Sequence, residues 1–303
     1  MKPQIDIGIV MVNYNNYEDT IQCVESFLNL LDTKSFHIVV FDNCSPNKSG
    51  TVLLDKYKDN EKVDVVLSDS NLGNGAGWNA GLKHLRERFE PKFSILSDND
   101  VLLLDNHLFG HLNEEYKESG FAVCGPMIFA PNGRCDCNPI FDIFYSRQNA
   151  LYDLKYHKKY LRATKLHLDK LYRFYRAHNP FIKRHKNKIY QIRKDTSPGI
   201  YLQRRENVVL HGCFFIFSPI YFNYFDGLDV RSFMYAEEDI LYAHLVHNKL
   251  KTVYLPSVKI YHKGDSSVKS TYDNIRKRRI FLTNQYIKAI EAYLGLLDEL
   301  ELS

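Results

Sequence analysis

The sequence is poor in what would carry it across a membrane. No run of about 18 uninterrupted apolar residues occurs in its 303 positions, so no membrane-spanning helix is expected. Met1-Lys2-Pro3-Gln4-Ile5-Asp6 passes almost at once into a strand-like segment, without the apolar region and cleavage site of a secretory leader. The expected location is therefore cytoplasmic. Cysteine is sparse, at 6, and only Cys135 and Cys137 are close neighbours. Cys-Asp-Cys lacks the two-residue spacing and the second ligand pair of a zinc site, so reduced thiols are expected. Charge of one sign is also lacking: a net +4 permits an anionic substrate or membrane surface without demanding nucleic acid. The first strand-like run has no glycine-rich turn behind it, which argues against an ordinary dinucleotide fingerprint. Tryptophan occurs once, against 21 Tyr and 19 Phe, a balance that suits aromatic stacking, interface contacts or simple packing.

What is present is an alternation of β-rich and helical patterns with ample apolar content, 45%. Ile5 to Val12, His37 to Phe41 and Val63 to Leu67 read as strands, and Tyr17 to Leu31 between them has helical apolar spacing. Such alternation predicts a mainly parallel sheet covered on both faces. The glycines of Asn71-Leu72-Gly73-Asn74-Gly75-Ala76-Gly77 precede a helical stretch; they suit a backbone approach to a nucleotide, or a flexible turn before a weak helix start.

Phe93 to Ser97 is an apolar run that ends in Asp98-Asn99-Asp100. If it is a strand, both carboxylates stand at its carboxyl end, where open α/β sheets bind ligands. They can offer oxygens to Mg²⁺ or Mn²⁺, although Asp-Asn-Asp is also an ordinary turn sequence. After Asp100 a helix to about Glu118 is expected, then a strand from Phe121 to Phe129.

From about residue 141 to 205 basic and aromatic residues interleave, as in Tyr156-His157-Lys158-Lys159-Tyr160, Arg173-Phe174-Tyr175-Arg176 and Lys183-Arg184-His185-Lys186. This reads as an insertion. It fits a solvated helical face, or contact with a membrane or lipid phosphate; single-stranded nucleic acid is the lesser reading. A core pattern returns from Val208 to Phe217. Then Glu237-Glu238-Asp239 crowds three acids together, which raises carboxylate pKa values and suits a general base, though acids in a first helical turn also favour the macrodipole. Thr252 to Tyr261 reads as a strand with His262-Lys263-Gly264-Asp265 at its exit, and Asn274 to Leu300 as a long amphipathic helix with a basic start.

Together these segments resemble family 2 glycosyltransferases of the GT-A fold, most closely the rhamnosyltransferase-like members that build bacterial surface polysaccharides. The resemblance is carried by Val12-Asn13-Tyr14-Asn15, Asp42-Asn43, Asn71-Leu72-Gly73 through Asn79, Ser97-Asp98-Asn99-Asp100, Gly227-Leu228-Asp229, Phe233-Met234-Tyr235-Ala236-Glu237-Glu238 and Tyr261-His262. Order and approximate spacing agree from residue 5 to about 270.

The resemblance implies a Rossmann-like α/β domain over residues 1–270, with 141–205 as a basic helical insertion and 271–303 as a C-terminal helix. It implies a nucleotide-sugar donor contacted by Asn13, Tyr14, Asp42, Asn71, Gly73, Asn79 and Asp98. It further implies a divalent metal, Mn²⁺ or Mg²⁺, at Asp100, His262 and Asp98. Glu238 falls at the catalytic base, within an acid trio whose other members are Glu237 and Asp239; Asp239 allows a register shifted by one. The implied acceptor is a saccharide or a lipid-diphosphate-linked sugar in O-antigen or capsule synthesis, reached at the inner face of the cell membrane. Two other readings compete: a sugar-nucleotide pyrophosphorylase, for which the chain lacks a glycine-rich, basic first loop, and a non-catalytic basic module that binds membrane or nucleic acid.

Overall fold

The computed structural model describes residues 1–29, 32–135, 137–140, 145–180, 198–264 and 274–302. The Lys183 to Lys186 stretch and Asp265 of the sequence motifs lie outside them.

The N-terminal half alternates as its patterning predicts. Strand β1 (Gln4–Asn13) leads through helix α1 (Tyr17–Leu28) to β2 (Phe36–Asp42), then α2 (Ser49–Tyr57), β3 (Val63–Leu67), α3 (Asn74–Arg88) and β4 (Glu90–Asp98). Asn16 caps α1, its side chain accepting from the Asp19 N–H at 3.3 Å. The helix ends at Leu28 with Asn29 as its C-cap, and the expected end, Leu31, lies outside the described residues. β5 (Val101–Leu103), α4 (Leu108–Ser119) and β6 (Val123–Phe129) follow, then α5 (Arg147–Lys165) and α6 (Asp169–His178) in the basic region. The C-terminal part holds β7 (Arg205–Glu206), β8 (Phe214–Phe217), α7 (Pro219–Phe222), α8 (Glu237–His247), β9 (Thr252–His262) and α9 (Ile275–Glu299).

Among the described residues the strands form one sheet in the order β3-β2-β1-β4-β8-β6-β9-β5, with β7 paired to β9. β1 runs parallel to β2 and β4, β2 to β3, and β6 to β9; β8 is antiparallel to both neighbours. Alternation along β1 explains the two-sided core. Ile7, Ile9 and Met11 join Val24 and Phe27 of α1 on one face, while Val10 and Val12 join Trp78, Leu82 and Leu85 of α3 on the other. A third cluster unites Ala150 of α5, Ile240 and Ala243 of α8, and Ile290, Tyr293 and Leu297 of α9.

One expectation changes. The segment after Asp100 is first a strand: Val101 to Leu103 pairs antiparallel with β9, and the helix waits until Leu108. Sheet edge pairing has overridden local helical pattern here. The glycine run also serves the fold directly. A Cβ at Gly81 would stand 2.4 Å from Val10 Cγ1, and one at Gly77 3.1 Å from Val12 Cγ2, so these glycines let α3 lie close on β1.

Candidate active site

The sheet registers assemble the site. Asn13 of β1 stands opposite Asp42 of β2, and Val12 opposite Asp98 of β4, so the acidic ends of β2 and β4 flank the first strand at the carboxyl edge. The pairing of β5 with β9 sets Val101 opposite His262. That register delivers an imidazole from late in the chain to the Asp-Asn-Asp triplet. His262 Nε2 lies 3.2 Å from Asp100 Oδ1 and 3.9 Å from Asp98 Oδ2.

One donor atom from each of Asp98, Asp100 and His262 falls within 4.8 Å of the others. Burial, then the charge of Asp100, raises the Asp98 pKa to about 7. Burial works against a charged His262, but Cys213, Asp100 and Asp98 outweigh it and raise its pKa to about 12. Crowded carboxylate oxygens with one imidazole nitrogen are a donor set that fits a divalent cation such as Mn²⁺ or Mg²⁺.

The Asn13 and Asp42 side chains, both buried, are bound to each other and to their surroundings. Asn13 Nδ2 donates to Asp42 Oδ1 at 2.6 Å and to Ser49 Oγ at 2.9 Å, and Thr20 Oγ1 donates to Asn13 Oδ1 at 2.8 Å. Ser45 adds its backbone N–H to Asp42 Oδ2 at 3.0 Å and its hydroxyl to Oδ1 at 2.6 Å. Tyr14 follows, half-buried, at the end of β1. Asn99, the middle of the triplet, is buried and donates to Thr20 Oγ1 at 2.8 Å and to Asn16 O at 3.1 Å. It ties the acidic turn to the start of α1.

Asn71 and Gly73 are fixed by Asn43. The Asn43 amide donates to Asn71 Oδ1 at 3.1 Å and to Gly73 O at 3.0 Å, and its oxygen accepts from the Leu72 N–H at 2.8 Å. Gly73 has φ +85°, and a Cβ there would meet Phe233 O at 2.2 Å, so this loop touches the segment that precedes α8. Asn79 stands on α3 with its amide engaged by Leu228: Nδ2 donates to Leu228 O, and Oδ1 accepts from Leu228 N–H, both at 2.8 Å.

The acid trio opens α8. Tyr235 and Ala236 just before it both have left-handed backbone, φ 71° and 64°, which turns the chain sharply into the helix. Burial and then Glu238 raise the Glu237 pKa to about 8, and burial raises that of Glu238. The Glu238 carboxylate lies over Gly212, where a Cβ would stand 3.2 Å from its Oε2. Its charge also acts on Asp98. Asp239 faces α9, where its charge acts on Tyr286 and Tyr293.

The family model of Glycosyl transferase family 2 matches residues 8–159, from β1 into α5. The chain belongs to glycosyltransferase family 2. No curated protein matches this family 2 glycosyltransferase in sequence. Among solved structures it is similar to TarS of S. aureus: residues 1–349 of that protein align with 93% of this chain and 70% of theirs, at 13% identity and a TM-score of 0.53. A longer TarS structure aligns with 91% of this chain and 42% of its own, at 13% identity and 0.52. TarS 1–349 in complex with UDP-GlcNAc aligns with 46% of this chain and 39% of its own, at 21% identity and 0.38. This chain therefore spans less than half the length of two of these three TarS structures, and the likeness is one of fold.

Four residues at this site had no role in the sequence reading. Asn43 and Asn99 lie inside recognised motifs, so a residue-by-residue question of what each amide bonds could have found them. Tyr286 could not be found so: it reaches the acids from α9, where its pKa is pushed up to about 12 by burial and by Glu238 and Asp239. His211 gave a weak signal as a polar residue inside an apolar run. Its ring centroid lies 5.7 Å from that of His262, and the Cys213 N–H donates to its Nδ1 at 3.1 Å, which leaves the proton on Nε2. Burial and then His262 lower its pKa to about 4.

Proposed function

We propose that the protein is an inverting glycosyltransferase that moves a sugar from a dTDP- or UDP-sugar to a saccharide or lipid-diphosphate-linked acceptor in bacterial surface polysaccharide synthesis, on a rhamnosyltransferase-like branch of its family. The observation that carries this reading is the meeting of two groups from distant parts of the chain. Asp98, Asp100 and His262 gather in one cluster, and the charge of Glu238 acts on Asp98.

In this reading residues 1–270 are the GT-A catalytic domain, 141–205 an insertion that bears on acceptor choice, and 271–303 a C-terminal helix. Asp100, His262 and Asp98 would hold Mn²⁺ or Mg²⁺, which would supply positive charge against that of the leaving diphosphate. Asn13, Tyr14, Asp42, Asn71 and Gly73 form and brace the nucleoside side of the pocket, and Asn79 holds the Gly227-Leu228 loop against it. Glu238 takes the proton from the acceptor hydroxyl as that oxygen attacks the anomeric carbon from the face opposite the departing nucleoside diphosphate. Its raised pKa suits a base, and its charge reaches Asp98 of the acidic cluster. Positioning of donor and acceptor supplies much of the remaining acceleration. No covalent intermediate with the protein is needed. The neutral His211 offers an N–H donor beside the metal group for an oxygen of the donor. A lipid-linked acceptor would bring the protein to the inner face of the cell membrane.

The test is donor binding and slow donor hydrolysis with UDP-, dTDP- and GDP-sugars, with and without Mn²⁺, in the wild type and in Asp100→Ala. One nucleotide class that responds only with metal, and not in the variant, supports the reading and names the donor. Metal-independent binding that survives Asp100→Ala would reject it.

A further inference from the structure

The insertion carries a surface that sugar transfer does not use. A helix lying on a globular core normally turns its apolar stripe inward. α6 does the reverse. Against the rest of the protein it sets Tyr172, whose ring lies 6.2 Å from that of Tyr156 of α5, Arg176, whose guanidinium lies 3.8 Å over the same Tyr156 ring, and Asp169, which accepts from Arg279 of α9 at 2.9 Å. Leu171 and Phe174, three positions apart, lie on the opposite side, and Leu168 and Tyr175 flank them. All are exposed, Leu171 by 63% and Phe174 by 62%, and no residue of α6 is buried. Leu166, on the turn between α5 and α6, and Ile275, at the start of α9, are exposed by 68% and 67%. They belong to the same patch, because the Arg276 Nε donates to Thr164 O at 3.0 Å and so ties the start of α9 to that turn.

Charge selects the occupant. Residues 147–178 contain nine Lys and Arg but two acids, Asp153 and Asp169. Both acids are engaged within the fold, Asp153 by the Tyr145 hydroxyl at 2.7 Å and Asp169 by Arg279. Lys165, Lys170 and Lys277 are exposed around the apolar residues. A second copy on this face would set like charge against like. An anionic bilayer offers hydrocarbon to Leu171 and Phe174 and phosphate to the lysines. No helix among the described residues is long and apolar enough to cross a membrane, so the contact is with its surface.

We propose that the outer face of α6, with Leu166 and Ile275, docks on the surface of an anionic phospholipid bilayer. A chain of rings joins this face to the acid trio. Tyr172 meets Tyr156 of α5; the adjacent His157 lies 4.7 Å from Tyr286 of α9; and Tyr286 lies 4.9 Å from Tyr235, which precedes Glu237 by two residues. The docking itself stands apart from the catalytic reading, whereas its use in presenting a lipid-linked acceptor to Glu238 rests on it.

The experiment is flotation of the full chain with phosphatidylcholine vesicles, with and without phosphatidylglycerol, over a range of salt. It needs neither donor nor acceptor, so failure of the glycosyltransferase reading would not affect it. The wild type should float with the anionic vesicles about tenfold more strongly than with neutral ones, and salt should weaken the difference. The double variant Leu171→Ser, Phe174→Ser should lose about tenfold or more, with its unfolding temperature unchanged because both side chains are already exposed. Lys165→Gln with Lys170→Gln should lose the anionic preference. The proposal is overturned by flotation undiminished in the Leu171/Phe174 variant, by no flotation with either vesicle, or by a dimer in light scattering that this variant dissolves, which would make the face a self-interface.

Discussion

Asn79 and Leu228 exchange two hydrogen bonds of 2.8 Å across 149 positions of sequence, the side-chain amide matching both backbone groups of the loop. This pairing anchors the Gly227-Leu228-Asp229 turn on α3. A Cβ on Gly227 would approach Asn79 Oδ1 to 2.6 Å, so the amide can reach the loop only because position 227 has no side chain.

Asn79→Ala leaves a partly buried donor and acceptor of Leu228 without partners, and should cost about 1–3 kcal/mol of stability. Thermal or denaturant unfolding checks this. Donor hydrolysis should fall by less than in Asp100→Ala; a loss of binding with unchanged stability would instead make Asn79 a direct donor contact.

Glu238→Gln should lower transfer by about 10²–10⁴-fold and leave donor binding within about twofold of the wild type. The base works deprotonated, and its raised pKa means that transfer in the wild type should climb with pH through a range above the ordinary carboxylate near 4.5. Steady-state transfer across pH, with calorimetric donor binding alongside, separates this from a purely structural loss. Unchanged transfer in the variant would move the base to Asp239.

Gly212→Ala places a methyl 3.2 Å from Glu238 Oε2, tighter than an ordinary contact. The carboxylate has to shift by a few tenths of an ångström, so transfer should fall by about tenfold or more while the metal-dependent binding of donor persists. Equal loss of donor binding would show that the 211–212 turn serves the donor rather than the base.

Asp100→Asn and His262→Ala should each weaken Mn²⁺ binding by about tenfold or more, read by calorimetry or by the electron paramagnetic resonance of free Mn²⁺ without any substrate. Chelation of the wild type should reproduce the loss of donor turnover. Retained Mn²⁺ affinity in both variants would remove the metal from this site.

Glu237→Gln tests the electrostatic cost of the acid trio. A carboxyl whose folded pKa is about 8 holds its proton in the native state where the unfolded chain, near 4.5, has lost it. Its penalty is absent below the unfolded pKa, grows as pH rises, and levels off above pH 8. The variant should therefore match the wild type near pH 4 and exceed it by about 4 kcal/mol near pH 8. Parallel unfolding midpoints at the two pH values would refute the shift.

The sequence by itself determined the strands and the acids at their ends, because apolar runs closed by Asn, Asp and Gly report a buried strand and its exit locally. It also determined the crowding of the three acids and the basic character of the insertion. Tertiary structure decided which of these meet. His262 faces Asp100 because β5 forms as a strand and pairs with β9 in one register, and that edge pairing left no local signature after Asp100. Asn79 turned toward Leu228, and Tyr286 toward Glu238 and Asp239, through packing between segments far apart in the chain. Composition gave α6 as basic and aromatic, but which way its apolar stripe points was set by the aromatic and ionic contacts of Tyr172, Arg176 and Asp169 on its inner side. Local pattern records the period of a face; only the neighbours it finds decide whether that face looks inward.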